Sequence, residues 1–233
     1  MEPSGGRVLV IGATGVLGGA IAAEPADPGA RPASAGRDRG RPARTARACP
    51  DAPTTGFDAH GPGSCVRAMH EAAALQGPGT VVVFGVVAFG AAEEIGDEAA
   101  EHLMTADHLA PAVFFRAALG NPRRGAAIAA LTGAAVERPQ PRMTDHSASR
   151  AAPAAWPEAV RPEARSAGAA VPENRPGHLG TGFATRPVAD TAPPPEGGDP
   201  RHAADAVADA PEDGVGPPHP GPGKSPAAER RAR

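Results

Sequence analysis

Tyrosine is absent from the chain, and Lys224 is its only lysine. There is therefore no phenol to serve as an acid, and almost every permanent positive charge is an arginine. Cysteine occurs only at Cys49 and Cys65, without metal-site spacing and without a case for a disulfide, which fits a reducing cytoplasm. Net positive charge is missing too. At a formal −3 the chain has no general attraction for nucleic acid or for an anionic membrane. No apolar run reaches the ~18 residues that span a bilayer. The N-terminal apolar run stops at Gly12, too short for a leader segment. Internal repeats at the roughly 20–50-residue period of solenoids and propellers are also lacking.

Glycine and proline are abundant, at 30 and 29 of 233 residues, near the level that signals disorder. The length suits one α/β domain with a sizeable core. Its organising stretch is Arg7-Val8-Leu9-Val10-Ile11-Gly12-Ala13-Thr14-Gly15-Val16-Leu17-Gly18-Gly19, followed by Ala20-Ile21-Ala22-Ala23. A short apolar strand, glycines at 12, 15 and 18, and a helix start describe the first βα unit of a dinucleotide-binding domain. Gly12 permits the tight turn, Gly15 lets a pyrophosphate approach the backbone, and Gly18 lets the helix pack closely on the sheet. The helix N-terminus turns free N–H groups and a partial positive charge toward the phosphates.

Further along, apolar patterning predicts strands over 30–35, 54–57, 80–87, 126–131 and 169–171, the last cut short by Pro172. Helices are expected over 16–24, 40–48, 64–75, 93–119, 147–165 and 201–210, with Pro111 inside the fourth. From about 213 onward the chain reads as a disordered Pro/Gly-rich tail. Alternating β and α segments of these lengths imply a doubly wound parallel sheet flanked by helices, a Rossmann-like domain over 1–212.

At residues 145–150 the sequence comes to resemble the short-chain dehydrogenase/reductase family. Gly12-Ala13-Thr14-Gly15-Val16-Leu17-Gly18 is similar to its cofactor loop. Asp58 matches the acidic residue placed beside the adenine. Val82-Val83-Phe84-Gly85 sits where the family ends a strand in Asn-Asn-Ala-Gly, with only Gly85 matching. Asp107 stands at the Asn of the central helix, and Thr132 near the Ser that ends the fifth strand. His146-Ser147-Ala148-Ser149-Arg150 occupies the place of Tyr-x-x-x-Lys. Arg175-Pro176-Gly177-His178, followed by Thr181, resembles the loop that closes on the nicotinamide. The resemblance covers roughly residues 7–212.

It implies an oxidoreductase that passes hydride between a nicotinamide cofactor and a carbonyl or alcohol. The cofactor residues would be Gly12, Thr14, Gly15, Val16, Leu17, Gly18, Arg37, Asp58, Gly85, Arg150, Pro176, Gly177 and Thr181. Arg37 follows the second strand, where an acidic residue would bind a ribose 2′-hydroxyl. An arginine there suits a 2′-phosphate, which favours NADP over NAD. The implied partners are a small carbonyl or alcohol substrate and, by resemblance alone, further copies of the chain.

The catalytic positions carry substituted residues: His146 for the phenol, Arg150 for the lysine, Thr132 for the serine and Asp107 for the asparagine. Histidine can move a proton. Arg150 keeps the cation and shares a helix face with position 146, but as a planar fork rather than a point charge. Thr132 keeps a hydroxyl. An ionised Asp107 accepts hydrogen bonds and donates none. The helix after His146 also holds Pro153, Pro157 and Pro162, each costing ~3 kcal/mol in a helix interior. Leu to Pro, Tyr to His, Lys to Arg and Asn to Asp are each one base transition toward GC, so a reductase gene drifting that way, or a sequence read with errors of that kind, would account for the whole set. Two other readings stay open: a catalytically silent NADP-binding sensor or partner protein, and a decayed homologue that does not fold stably.

Overall fold

The structure is a computed structural model and describes residues 7–23, 31–36, 53–75, 79–82, 85–120, 126–184 and 197–208. The helix expected over 40–48, the tail from 213 and Arg37 lie outside these residues.

Strands β1 (Arg7–Ile11), β2 (Arg31–Gly36), β3 (Thr54–Gly56), β4 (Gly79–Val82), β5 (Ala126–Leu131), β6 (Ala169–Ala170) and β7 (Glu173–Asn174) form one parallel sheet. Their order is β3-β2-β1-β4-β5-β6, with β7 also on β5. Both β6 and β7 hold a single register against β5, from Ala126↔Ala169 to Leu131↔Asn174. They are halves of one strand, notched where Pro172 has no N–H to give. Its carbonyl still accepts the Ala130 N–H at 3.0 Å. The strand expected to stop at 171 therefore resumes beyond the proline.

Side-chain alternation distributes the core to both faces of the sheet. Leu9, Ile11, Ala33, Ala35, Ile128 and Ala130 face one layer of helices with Phe57, Met69, Phe114 and Phe115. Val10 and Ala129 face the other, with Ala13, Ile21, Ala22 and Ala204. The first layer holds α2 (Pro62–Leu75), α4 (Ala110–Leu119) and α5 (Thr144–Ser166), and the second pairs α1 (Val16–Ala23) with α6 (Pro200–Ala208). The few aromatics concentrate in the first layer. Phe57 meets Phe114 edge-on at 4.9 Å, and Phe115 stacks on Trp156 at 4.9 Å.

Two elements depart from expectation. Among the described residues the strand expected over 80–87 is paired over Gly79–Val82, and Gly85–Phe89 lies outside the sheet. The helix expected over 93–119 is divided. After a 3₁₀ turn (Ala92–Glu94), α3 (Asp97–Met104) passes through a π-turn (Thr105–Leu109) into α4, with the Ala110 N–H reaching back to the Thr105 carbonyl. Pro111 gives the reason. It offers no N–H to the Asp107 carbonyl, and its ring would press on that carbonyl in a regular α-helix. A wider turn relieves the contact, as π-bulges often do at functional sites.

Helix α5 runs unbroken through Pro153, Pro157 and Pro162. Pro153 and Pro157 are buried on its inner side, whereas Pro162 is exposed. The carbonyls of Ser149, Pro153 and Glu158 each lose the N–H donor that a non-proline residue would supply four positions on. Among the described residues no helix is long and apolar enough to cross a membrane. None of their His, Cys, Asp and Glu side chains form a group of three placed to hold a metal ion.

Candidate active site

The strand order reverses between β1 and β4, and the carboxyl ends of these strands border the crevice where doubly wound sheets bind ligands. The glycine loop lies at the end of β1. Gly12 takes φ 96°, a region that L side chains avoid, and its N–H reaches the Ala35 carbonyl at 2.7 Å. The Gly15 N–H closes the turn on the Gly12 carbonyl at 3.0 Å. A Cβ on Gly15 would stand 3.3 Å from that same oxygen. Gly18 is buried against the sheet. Helix α1 starts at Val16, so the N–H groups of Val16, Leu17 and Gly18 have no acceptor within the helix. No acidic side chain stands in that first turn. Thr14 packs on Gly36 so closely that any Cβ there would collide with its side chain.

Asp58 is exposed in the turn after β3. Its Oδ1 accepts the His60 N–H at 3.0 Å, and its own N–H goes to Ser64 Oγ at 3.1 Å. His60 Nε2 meets His102 Nδ1 at 2.7 Å, with ring planes 5° apart and centroids 4.9 Å apart. That separation fits an edge-to-edge, in-plane hydrogen bond between imidazoles rather than a face-to-face stack.

The catalytic candidates converge past the end of β4. The π-turn swings Asp107 inward until it is 1% exposed. Its Oδ1 accepts the Val86 N–H at 2.7 Å, and its Oδ2 accepts the Ser149 hydroxyl at 2.8 Å. His146 Nδ1 and Arg150 Nε both lie 3.5 Å from Oδ2, ion-pair distances without hydrogen-bond contact. Burial pushes the Asp107 carboxyl up, but Arg150, His146 and the Val86 N–H together hold it below the ordinary carboxylate range. Gly85 completes the cluster, since a Cβ there would collide with Arg150 Nη2 and Asp107 Oδ1. Phe183 caps it. Its ring centroid lies 5.7 Å from Arg150 Cζ and 6.4 Å from the His146 centroid.

Thr132 is directed elsewhere. Its hydroxyl donates to Glu173 Oε1 at 2.5 Å, inside the protein. Glu173 is fully buried and also takes two hydrogen bonds from Arg175, at 2.9 and 3.1 Å. A hydroxyl has one proton to give. In this arrangement the Thr132 proton goes to a buried carboxylate, which leaves its oxygen as an acceptor only. The loop after β7 is anchored at Pro176, whose carbonyl accepts the Ala134 N–H at 2.8 Å. Gly177 follows it, and Thr181 Oγ1 accepts the Phe183 N–H at 3.2 Å.

The sequence reading missed Glu173, Ser149, the Val86 N–H and Phe183. A carboxylate directly after the proline that interrupts a buried strand was the available signal for Glu173. For Ser149 it was the hydroxyl one position before Arg150. The Val86 N–H and Phe183 carried no local signal.

No family model and no curated protein matches the sequence. Solved structures do match the fold. An alcohol dehydrogenase from the archaeon Thermococcus sibiricus, complexed with 5-hydroxy-NADP, aligns at TM-score 0.77 and 22% identity over 92% of this chain and 94% of that one. A short-chain dehydrogenase from Burkholderia cenocepacia, complexed with NADP, aligns at TM-score 0.77 and 21% identity over 92% and 97%. A dehydrogenase/reductase from Sinorhizobium meliloti aligns at TM-score 0.74 and 22% identity over 88% and 87%. The chain has the doubly wound α/β fold of the short-chain dehydrogenase/reductases.

Proposed function

We propose that the chain is an NADP-dependent oxidoreductase of the short-chain dehydrogenase/reductase type, moving hydride between the cofactor and a carbonyl or alcohol carbon. One observation carries this reading. His146 and Arg150 converge on Asp107, and Arg150 and Asp107 close on Gly85, beside the crevice that the glycine loop also borders. Two of the solved relatives are NADP-type complexes, which supports that cofactor.

The residues present fit the cofactor, because Gly12 takes the positive φ of a tight turn and the first turn of α1 offers its N–H groups with no acidic side chain beside them. Bound NADP would supply the hydride-carrying nicotinamide. Gly12, Thr14, Gly15 and the N–H groups of Val16, Leu17 and Gly18 would hold its pyrophosphate. Arg37 would pair with the 2′-phosphate, and Asp58 would stand beside the adenine. Pro176, Gly177 and Thr181 would close over the nicotinamide. Arg150 would face the ribose and carry the positive field that a lysine carries in the family. His146 donates the proton to the carbonyl oxygen in reduction and takes it back in oxidation. Asp107, on the Nδ1 side of the ring, orients the imidazole and offsets its charge.

NADPH-coupled reduction of simple aldehydes tests the reading. His146→Ala should lower kcat by about 10²–10⁴-fold while NADPH still binds. The double change His146→Tyr with Arg150→Lys should raise turnover on generic carbonyls. The commitment of Thr132 favours one rival, a silent NADP-binding protein. That rival predicts NADPH binding, no turnover and no gain from the double change.

A further inference from the structure

We propose that the substrate is a 2-oxo acid with an apolar side chain, reduced to the 2-hydroxy acid, and that Arg150 is the residue that binds its carboxylate. The inference rests on the oxidoreductase reading above and names its substrate class.

The Arg150 side chain is only 12% exposed. Its sole charged contact among the described residues is Nε to Asp107 Oδ2 at 3.5 Å. No hydrogen bond from either terminal nitrogen reaches a described residue. A guanidinium has five N–H donors in a fixed fork, and no Arg150 nitrogen is among the fully buried atoms without a partner, so the fork is open to a ligand. Cofactor ribose hydroxyls are neutral and leave part of the fork unused. A carboxylate matches the fork in charge and geometry, and the match strengthens where water is excluded.

Position and surroundings point the same way. Phe183 covers both Arg150 and His146, so the cation and the proton donor share one roofed space. Phe183 belongs to an apolar cluster with Met143, Val87, Phe89 and Ala184. A 2-oxo acid places its carboxylate one bond from the carbonyl, as the adjacent Arg150 and His146 require, and leaves its side chain against this wall. Bound NADPH would supply the hydride to the carbonyl carbon and be left as NADP⁺, while the C=O π pair would move to oxygen. That oxygen would take the His146 proton, and a proton from solvent would restore His146.

Phenylpyruvate and phenylacetone make the test, since they differ only by carboxylate against methyl. Binding of each is followed by ligand-observed NMR, to the full chain alone and with NADP⁺. NADPH-coupled turnover is recorded alongside. Phenylpyruvate should bind about tenfold or more tightly than phenylacetone, the scale of one charge-assisted hydrogen bond. Arg150→Gln should remove that margin. Arg150→Lys, which keeps the charge beside Asp107, should shrink it and serves if the Gln variant does not fold. Equal binding of the two ketones, no binding of either, or a margin that survives both variants overturns the proposal. NADPH titration of the same samples scores the oxidoreductase reading separately. Saturable NADPH binding without the carboxylate margin leaves that reading standing and removes only this one.

Discussion

Burial works against a charged Asp107, yet Arg150, His146 and the Val86 N–H keep its carboxyl below the ordinary range. The linkage has a definite sign. A folded pKa below the unfolded value, about 4 for aspartate, adds stability that is present above that value. It is lost as pH falls through the lower folded value. Urea unfolding from pH 7 to pH 3 should therefore show a loss of stability below about pH 4, and Asp107→Asn should flatten it. Parallel curves for the two proteins would contradict the assignment. Gly85 is the second residue to test. A methyl there collides with Arg150 and Asp107, whereas a methyl on Gly96 meets nothing within 4 Å. Gly85→Ala should destabilise by about 1–3 kcal/mol and weaken NADPH binding, and Gly96→Ala should do neither. Both residues stood out in the sequence, but their contact did not. Position 85 was visible only as a strand end and Asp107 only as a substituted asparagine. The π-turn that joins them depends on Pro111, which local propensity reads as a helix breaker.

Helix α5 tests the account of the prolines. It carries His146 and Arg150 at one end and three prolines along the rest. Pro162 is the cleanest probe, being exposed, so that replacing it opens no cavity and forces no repacking. Pro162→Ala restores an N–H for the Glu158 carbonyl and should stabilise the chain by ~3 kcal/mol. For a domain of this size that raises the melting temperature by about 6–12 °C. An unchanged melting temperature would show that the helix bears no strain at this position. The pattern of strands and helices was readable wherever periodicity was clean. The strand over 126–131 is reproduced to the residue. Errors came where proline and periodicity disagree. Pro172 reads locally as a strand end, but a parallel strand loses only one donor there and resumes at Glu173. Pro111 reads locally as a helix breaker inside an otherwise helical stretch, and the helix widens around it instead of ending.

At the scale of the molecule, the sheet order brings together residues far apart in the chain, Gly12 to Gly18 from the end of β1 and Gly85 from the end of β4. Asp107 on the π-turn and His146 with Arg150 on α5 join Gly85 there. The glycine spacing and the β/α alternation made this architecture readable before any coordinates. The Thr132–Glu173 bond was not readable, because it joins residues 41 positions apart through buried side chains. Under the proposed function, the glycine loop holds the cofactor and the catalytic positions carry His146, Arg150 and Asp107. The glycine loop is the part on which every functional statement depends. Its direct test is a fluorescence titration of the purified chain with NADPH, beside Gly15→Val, whose side chain would press on the Gly12 carbonyl. Saturable nicotinamide fluorescence in the native chain, weakened at least about tenfold by the valine, is the predicted result. No saturation, or equal binding by the two proteins, would contradict a cofactor site at this loop.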